Sequence, residues 1–408
     1  MSVFAGVLGQ DRAVATFAAA LREARRSSSS TEVAPSANGE PTSASARRQD
    51  MTHTWLITGP PGSGRSTIAQ AFAAALVCPN GGCGTCDSCV AAEHHAHVDI
   101  ESVVPDGIIY PIEQVRALIR RGTISPSGSA WHVIVVEDVD RFGELGAETL
   151  LKSLEEPPEH TVWLLCAPSL DDVLPTIASR CRHVRLDTPT VADVANTLIQ
   201  TYGVDPAMAA FAARAGQGHI GWARALATDE NARMRRQQVL SVPTQLNDLP
   251  SCFALAGELL ANGQERADTI TAPLDAKELS ALMLAYGEGG EGKGIGTVGR
   301  RSKPAVKELE RNQKRRGRRV LRDQLDRALV DLVGFYRDVL VVQTGAPVEL
   351  LNDQMGLQVR QLAAASTPED TIRRIDIITT ARNQLTNDTA PILALESLMV
   401  GLKVPRSA

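Results

Sequence analysis

The chain has 408 residues, 43% of them hydrophobic, which is enough for two or three domains that each bury an apolar core. Its formal net charge is −5 at pH 7, so contact with nucleic acid would need a local basic patch. The first residues lack a charged start followed by an apolar run, and no stretch of about 20 apolar residues could span a membrane. We therefore expect a cytoplasmic protein without a signal peptide or membrane contact, whose seven cysteines do not form disulfides.

The first residues carry an apolar face of helical period, formed by Val14, Phe17 and Leu21. The segment that follows, residues 25–50, is rich in Ser, Ala and Pro and nearly free of large apolar side chains. Such a composition cannot bury enough surface to offset the loss of chain entropy. It therefore predicts a disordered insertion.

A strand, a glycine-rich loop and a helix are predicted in succession by Thr54–Thr67, TWLITGPPGSGRST. In a P-loop, backbone N–H groups freed by glycines and the positive end of a helix cradle phosphates, and a Ser hydroxyl holds Mg²⁺. Arg65 stands where the pattern has lysine, and its planar fork is larger than an ammonium. We therefore expect a loop that could bind ATP and Mg²⁺ but does not act as an active ATPase does. The candidate nucleotide-binding residues of this loop are Gly59, Gly62, Ser63, Gly64, Arg65, Ser66 and Thr67.

Four cysteines cluster after a predicted helix, in the spacing C-x4-C-x2-C-x2-C. Four thiolates this close suit a closed tetrahedral Zn²⁺ site without an open coordination position, so the zinc would be structural. The alternative is a loop of reduced thiols. Three nearby histidines, at positions 94, 95 and 97, are surplus to a four-cysteine set and are expected at the surface. The candidate metal ligands are Cys78, Cys83, Cys86 and Cys89.

An uninterrupted β-branched run, Val133–Val136, is typical of a strand buried on both faces of a parallel sheet. Glu137 and Asp138 follow it, and such a strand end near a P-loop is where Mg²⁺ and an attacking water are usually held. The alternative is a solvated strand end. Further strands are predicted at residues 98–104, 161–166 and 183–186.

Strand patterns fade after Pro189, and the remainder predicts helices. An apolar stripe from Leu325 to Leu340 indicates the core of a helical bundle or a subunit interface, whereas basic Arg315–Arg319, flanked by acidic residues, indicates a solvated helix face. The other predicted features are helices at 191–202, 206–215, 220–227 and about 392–402, and a mobile loop at 287–304.

In this order, the motifs resemble those of the bacterial replication clamp loader, a member of the AAA+ family. The resemblance covers nearly the whole chain and rests on Leu8-Gly9-Gln10, the P-loop, the cysteines, Val133–Asp140, LLKSLEEPP at 150–158 and Ser179-Arg180-Cys181. It implies an α/β part followed by an all-α part. The implied domains are an AAA+ P-loop parallel-sheet domain with an inserted zinc module at 1–188, a helical lid at 189–235 and a helical collar for oligomerisation at 236–408.

The family has ATPase subunits and a related subunit, delta-prime, that does not hydrolyse ATP. Four positions make this chain resemble the latter. Arg65 replaces the phosphate lysine, Glu137-Asp138 reverses the Asp-Glu order of active subunits, and the polar sensor position falls at Ala167-Pro168. Gly221 stands where the family has a sensor arginine. Because catalytic geometry is sensitive to shifts of about 1 Å, these departures together predict no intrinsic ATPase.

Arg180 is retained, and in the family the arginine of this triplet reaches into the ATP site of a neighbouring subunit. The resemblance thus implies a subunit of DNA polymerase III that assembles with motor gamma/tau-like and delta-like subunits. The complex would load the sliding clamp at primer-template DNA, and Arg180 would act in trans. Three alternatives stay open: Arg180 pairs only with a local carboxylate, the chain is itself an active clamp-loader ATPase, or it is a zinc-bearing nucleic-acid binding protein that uses Arg315–Arg319.

Overall fold

The computed structural model describes residues 3–29, 51–105, 107, 109–285, 295–386 and 389–403. The chain divides into two compact units, the first ending at Ala227 and the second beginning at Thr228. In the described part of the chain, no helix combines the length and the apolar character needed to cross a bilayer.

A five-stranded sheet, parallel throughout, forms the centre of the first unit. Its strands are β1 (Thr54–Thr58), β2 (Ile100–Val103), β3 (His132–Val136), β4 (Thr161–Ala167) and β5 (Arg182–Arg185). They lie in the order β2-β3-β4-β1-β5. Every residue of β1, β3 and β4 is buried, as continuous apolar runs predict for strands covered on both faces.

Helices cover the sheet, and alternate strand residues enter two separate cores. Trp55 packs against Phe17 and Phe72, with ring centroids 5.1 and 5.5 Å away, whereas Trp163 belongs to the opposite core. The helices of this part are α1 (Asp11–Ser29), α2 (Arg65–Val77), α3 (Asp87–Glu93), α4 (Ile112–Gly122), α5 (Glu144–Glu155), α6 (Pro175–Ala178), α7 (Val191–Tyr202), α8 (Pro206–Gly216) and α9 (Ile220–Thr228).

The second unit is helical. Its helices are α10 (Glu230–Gln245), α11 (Leu249–Ala285), α12 (Ile295–Thr344), α13 (Gly356–Ala365), α14 (Pro368–Thr386) and α15 (Pro391–Leu402). Helices α11 and α12 pack together, and α12 also packs on α13 and α14. The predicted apolar stripe on α12 lies in this core, where Leu325, Leu332 and Tyr336 are buried.

A buried polar network crosses the core of the second unit. The guanidinium of Arg236 donates to the Asp331 carboxylate at 3.1 Å and also to Asn352. Asp338 accepts hydrogen bonds from both the backbone and the side-chain amide of Asn352, at 2.8 Å each. Burial raises the pKa of Asp331, and the nearby Arg327 and Arg236 oppose that rise. Because a lone buried charge is costly, this network favours one arrangement of α10, α12 and the turn before α13.

Two predictions about loops need correction. Residues 295–304, predicted as part of a mobile loop, form the beginning of α12. The helix-forming Lys, Glu and Arg residues that follow let the helix propagate back through the glycines. Residues 25–29, predicted as disordered, continue α1, while residues 30–50 and 286–294 lie outside the described part of the chain. The division into three domains stays a prediction.

Candidate functional site

The P-loop follows β1 and ends where α2 begins. Gly62 and Gly64 have φ values of 84° and 91°, a left-handed conformation that side-chain-bearing residues rarely adopt. The N–H of Gly59 donates to the carbonyl of Ala167 at the end of β4, so the loop starts against the neighbouring strand. Ser66 and Thr67 lie exposed in the first turn of α2. The loop therefore has the strand–glycine–helix geometry that binds phosphates.

Gln10 holds this loop from the side. Its buried amide donates to the carbonyls of Ser63 and Asp187, at 3.3 and 2.7 Å, and accepts from the N–H of Asp187 at 3.1 Å. In the sequence, the motif Leu8-Gly9-Gln10 is recognisable only as part of the resemblance described above. Its physical role here is to join the P-loop to the segment that follows β5.

Arg65, the departure from the P-loop pattern, faces the acidic residues that follow β3. Its Nη2 lies 3.9 Å from Asp138 Oδ1, and Arg141 Nε lies 3.6 Å from the other oxygen of Asp138. The Arg65 side chain is only 13% exposed. The carboxylate of Asp138 therefore lies between two guanidinium groups, so its charge is engaged within the chain. Glu137 is held by its backbone, since the Tyr110 hydroxyl donates to its carbonyl at 2.6 Å.

Three buried polar atoms in this region have no hydrogen-bond partner among the described residues: Ser63 Oγ, Arg65 Nη1 and Asp140 Oδ1. Burial, and then the charge of Asp138, raises the pKa of Asp140 to about 6. Buried donors and acceptors are normally paired, and a bound ligand is one way to pair them. The Ser63 and Arg65 groups fit a phosphate, so these residues could hold a nucleotide although their pattern is not that of a motor.

His219 covers the P-loop, a feature that the sequence analysis missed. A Cβ added to Gly62 would lie 2.3 Å from His219 Cγ and 2.4 Å from its Cα, so the turn between α8 and α9 rests directly on the loop. The His219 ring is held in turn, because its Nδ1 accepts from the N–H of Trp222 at 3.1 Å. The one sequence hint was a punctuating glycine, Gly218, which has a φ of 82°.

The two sensor positions offer no polar side chain. Ala167 ends β4 fully buried, and Gly221 lies in the first turn of α9. The nearby Arg224 lies with its guanidinium over the ring of Tyr202, 5.1 Å from the centroid. Arg224 thus contacts α7, and the assignment of these two positions as sensors stays a prediction.

Arg180 lies at the other end of β1. It lines an open cleft of about 620 Å³ together with residues 52–54, which lead into that strand, and with Glu155 at the end of α5. Its guanidinium donates to the Glu155 carboxylate and, at 2.8 Å, to the carbonyl of Thr176. The Arg180 and Glu155 side chains are 33% and 45% exposed. The local carboxylate partner that was one alternative is thus present, in a pair open to solvent.

The four predicted metal ligands converge. The sulfurs of Cys78, Cys83, Cys86 and Cys89 all lie within 4.8 Å of one another. Cys78 Sγ is 3.8 Å from that of Cys83 and 3.6 Å from that of Cys86. A tetrahedron with Zn–S bonds of about 2.3 Å has sulfurs about 3.8 Å apart, so the cluster could bind a metal ion. Residues 94–97, which hold the three histidines, do not belong to this cluster.

Glycines shape the loop that carries these cysteines. Gly81, Gly82 and Gly84 have φ values between 69° and 89°. A Cβ at Gly82 would meet the side chain of Val3 at 2.7 Å, and the N–H of Gly84 donates to Cys89 Sγ at 3.3 Å. The tight turns therefore aim the sulfurs inward and let the first residues of the chain pack against the loop.

The fold and the site define the class of protein: an α/β P-loop domain joined to a helical unit. Comparison with known sequences makes this more specific. Residues 40–190 match the family model described as DNA polymerase III, delta subunit. Over 168 residues the chain is 32% identical to DNA polymerase III subunit delta' of Pseudomonas aeruginosa, covering 40% of this chain and 51% of that protein.

The chain is also similar to gamma/tau and tau subunits. It is 33% identical over 138 residues to DNA polymerase III subunit gamma/tau of Mycobacterium tuberculosis, which covers 33% of this chain and 24% of that protein. It is 27% identical over 226 residues to subunit tau of Escherichia coli, covering 52% and 35%. The chain thus spans about half the length of the delta' relative and less of the others. The similarity supports the DNA polymerase III clamp-loader family without separating delta' from gamma/tau.

Among solved structures, a DNA polymerase III gamma subunit-related protein from Thermotoga maritima aligns over 86% of this chain and 93% of its own. The sequence identity is 15% and the TM-score 0.37.

Proposed function

We propose that this chain is a delta-prime-type, non-motor subunit of the DNA polymerase III clamp loader. In this proposal it assembles with gamma/tau-like motor subunits and a delta-like subunit in the cytoplasm. The complex uses ATP to load the sliding clamp at primer-template DNA, and Arg180 enters the ATP site of a neighbouring subunit. A guanidinium supplied in this way stabilises the charge of the transferring phosphoryl group.

One observation carries the proposal: Arg180 and the P-loop lie at opposite ends of β1. The P-loop begins at Gly59, after the last residue of the strand, whereas the Arg180 cleft is lined by residues 52–54 before and at its start. Five residues of strand separate the two ends by about 16 Å. Arg180 therefore lies away from the phosphate loop of its own chain, as a group that serves a neighbour would.

The Glu155 pair fits a donated arginine. Both side chains are partly exposed, and ion pairs of this kind contribute at most about 1 kcal/mol. A phosphate oxyanion in a neighbour's water-excluded site would compete for the guanidinium on favourable terms. Glu155 thus holds the Arg180 guanidinium in place in the free chain. It does not prevent that guanidinium from leaving Glu155 for a phosphate in the neighbouring subunit.

The P-loop region of this chain, unlike Arg180, has its charged groups engaged by contacts within the chain. Arg65 faces Asp138, Asp138 also faces Arg141, and His219 rests on Gly62. These contacts engage the groups that a motor subunit needs for Mg²⁺ and for the attacking water. They support a loop that does not turn over ATP.

The test uses a reconstituted complex in which every ATP site except the one facing this chain has been inactivated. Arg180→Ala should then lower the ATPase rate by about 10³-fold or more, the range known for donated arginines. Arg180→Lys should recover little, because an ammonium cannot reproduce the planar fork. Arg185→Ala, an exposed arginine on β5, is the matched control and should leave the rate unchanged. A complex whose rate survives Arg180→Ala would refute the proposal.

A second candidate function is that of an active motor subunit, which the similarity to gamma/tau subunits favours. ATP hydrolysis by the isolated chain separates the two. We expect background turnover both for the native chain and for Arg65→Lys, because the sensor positions and His219 are unchanged in that variant. Brisk hydrolysis by the isolated chain that is abolished by Asp138→Ala would favour the motor.

We also propose that the cysteine cluster holds one structural Zn²⁺. Zinc of this kind stabilises a fold directly and leaves no coordination position for substrate. Elemental analysis of freshly purified protein should find about one zinc per chain, and Cys86→Ser should lose the metal and lower the melting temperature. Cys181→Ser, outside the cluster, should keep the zinc. Native protein without zinc would contradict the proposal.

A further inference from the structure

Positive charge is concentrated on one stretch of α12. Residues 303–322 contain nine Lys and Arg and two Glu, a net charge of +7. The whole chain has 42 basic and 47 acidic residues. A segment this basic in an acidic chain is the kind of local patch through which polyanions are attracted.

Four exposed basic residues of this stretch fall on one face of the helix. Lys303, Lys307, Lys314 and Arg318 are all exposed. They are separated by four, seven and four residues, a spacing that keeps helical residues on the same side. At 1.5 Å per residue, they form a straight row about 22 Å long. We refer to these four residues as the basic stripe.

Most neighbouring carboxylates bind other groups, except Glu310, which lies on the face of the stripe between Lys307 and Lys314 and lowers its net charge to +3. Glu308 accepts from Arg311 at 2.9 Å, and Glu278 on α11 accepts from Arg316, which also pairs with Asp275. These pairs fasten α12 to α11 or to itself. No residue of the basic stripe has a carboxylate partner in the described ranges, and Glu310 is the remaining exposed acid of the segment.

We propose that the basic stripe binds the phosphate backbone of duplex DNA. A duplex carries one negative charge per about 1.7 Å of its axis, so a rigid row of cations can meet several phosphates at once. Lysines dominate the stripe, and point charges on flexible stems contact phosphates without reading bases. The interaction is therefore independent of DNA sequence.

The composition of the helix pair favours a duplex over a single strand. Proteins that bind single strands stack the bases on aromatic side chains. Residues 263–285 of α11 and 303–322 of α12 contain no Phe, Trp, Tyr or His. The stripe thus offers charge without a stacking surface. This proposal does not depend on Arg180, whose role is measured by ATP turnover rather than by DNA binding.

The test measures binding of the full chain to a fluorescent duplex of about 20 base pairs, roughly three times the length of the stripe. Four phosphate contacts predict a slope of about −3.6 for log K against log salt, so raising NaCl from roughly 50 to 200 mM should weaken binding about 150-fold. Changing all four residues to Gln should remove most of that slope. It should also weaken binding at the lower salt concentration by about 100-fold or more.

A matched control removes four other exposed or partly exposed charges of the second unit. The control substitutions are Arg266→Gln, Arg360→Gln, Arg373→Gln and Lys403→Gln. They should leave the salt slope unchanged, and thermal unfolding should show both variants folded, since the changed side chains are not core residues.

Three results would overturn the proposal. The first is equal duplex binding by the stripe variant and the control variant. The second is displacement of the duplex by a single strand at equal nucleotide concentration. The third is displacement by poly-glutamate at equal charge, which would indicate that the stripe serves an acidic protein instead.

Discussion

The two ends of β1 differ in how their charged groups are engaged. At the carboxyl end, Arg65 and Asp138 are 13% and 15% exposed, and His219 covers the loop. At the amino end, Arg180 lines an open cleft and shares its charge with a carboxylate that is nearly half exposed. The same sheet thus presents an enclosed basic group at one edge and an accessible one at the other.

This difference has a physical basis in screening. A pair removed from water is held strongly by its partners and is costly to separate, whereas a pair in water is worth little and exchanges readily. The enclosed end therefore favours a fixed structure, and the accessible end favours contact with another molecule. Three measurements test this difference between the two ends.

The largest effect is expected from Asp140, beside the enclosed pair. Its pKa of about 6 exceeds the value of 3.8 for an ordinary aspartate, so folding favours its protonated form. The stability that this contributes is complete below pH 4 and is lost as the pH rises to about 6, at most about 3 kcal/mol. In Asp140→Asn, the free energy of unfolding should fall less between those pH values. Urea unfolding measures it, with EDTA present to remove metal ions.

Asp171→Asn is the control for that measurement, since Asp171 is exposed. It should keep the native pH dependence. If the unfolding free energy of Asp140→Asn depends on pH as that of the native protein does, solvent reaches the carboxyl end of β1 more than its burial indicates. The two ends would then differ less in the exposure of their charged groups.

The next effect is the contact between His219 and the P-loop. Gly62 and Gly64 both have positive φ, so Ala at either position strains the backbone, but only at Gly62 would the new Cβ meet His219. Overpacking typically costs 1–3 kcal/mol, so Gly62→Ala should destabilise the protein by about 2 kcal/mol more than Gly64→Ala. Urea unfolding measures the difference, and equal losses would mean that the α8–α9 turn does not rest on the loop.

The smallest effect is expected at the accessible end. Glu155→Gln removes a partly exposed charge pair and should change the free energy of unfolding by less than about 1 kcal/mol. Within the complex, the ATPase rate at the neighbouring site should rise by at most about fivefold, because Arg180 is released more easily. A loss comparable to that of Arg180→Ala would show instead that Glu155 positions the guanidinium.

Much of the fold could be predicted because it follows from apolar patterns. The buried strand β3 is recognisable as a β-branched run, and α7, α8 and α9 end within one residue of the predicted bounds. The cysteines were predicted to meet because their number and close spacing are typical of a zinc site, and their sulfurs do converge. The loop predicted at 287–304 was wrong for residues 295–304, since glycines suggest a loop locally, whereas the helix-forming residues beyond them extend α12.

The missing parts of the site depend on contacts between segments far apart in sequence. Nothing near Arg65 indicates that it faces Asp138 rather than solvent, because 72 residues lie between them and they belong to separate segments, the start of α2 and the turn after β3. His219 contacts Gly62 only because Gln10, Asp187 and the following helices fix the α8–α9 turn over the loop. Such contacts follow from tertiary packing, which a local pattern does not encode.

The length of α12 has a mechanical consequence. It is one helix of 50 residues, about 75 Å long, with a proline, Pro304, near its beginning. The basic stripe lies in its first half and the Asp331 anchorage, deep in the core, in its second half. Such a helix transmits torque, so a load on the stripe, a segment that Arg316 also ties to α11, would be felt as leverage at a buried ion pair that tolerates little displacement. Cargo captured at the stripe would therefore act on the core around Asp331 through α12 itself, at a distance from its own contacts.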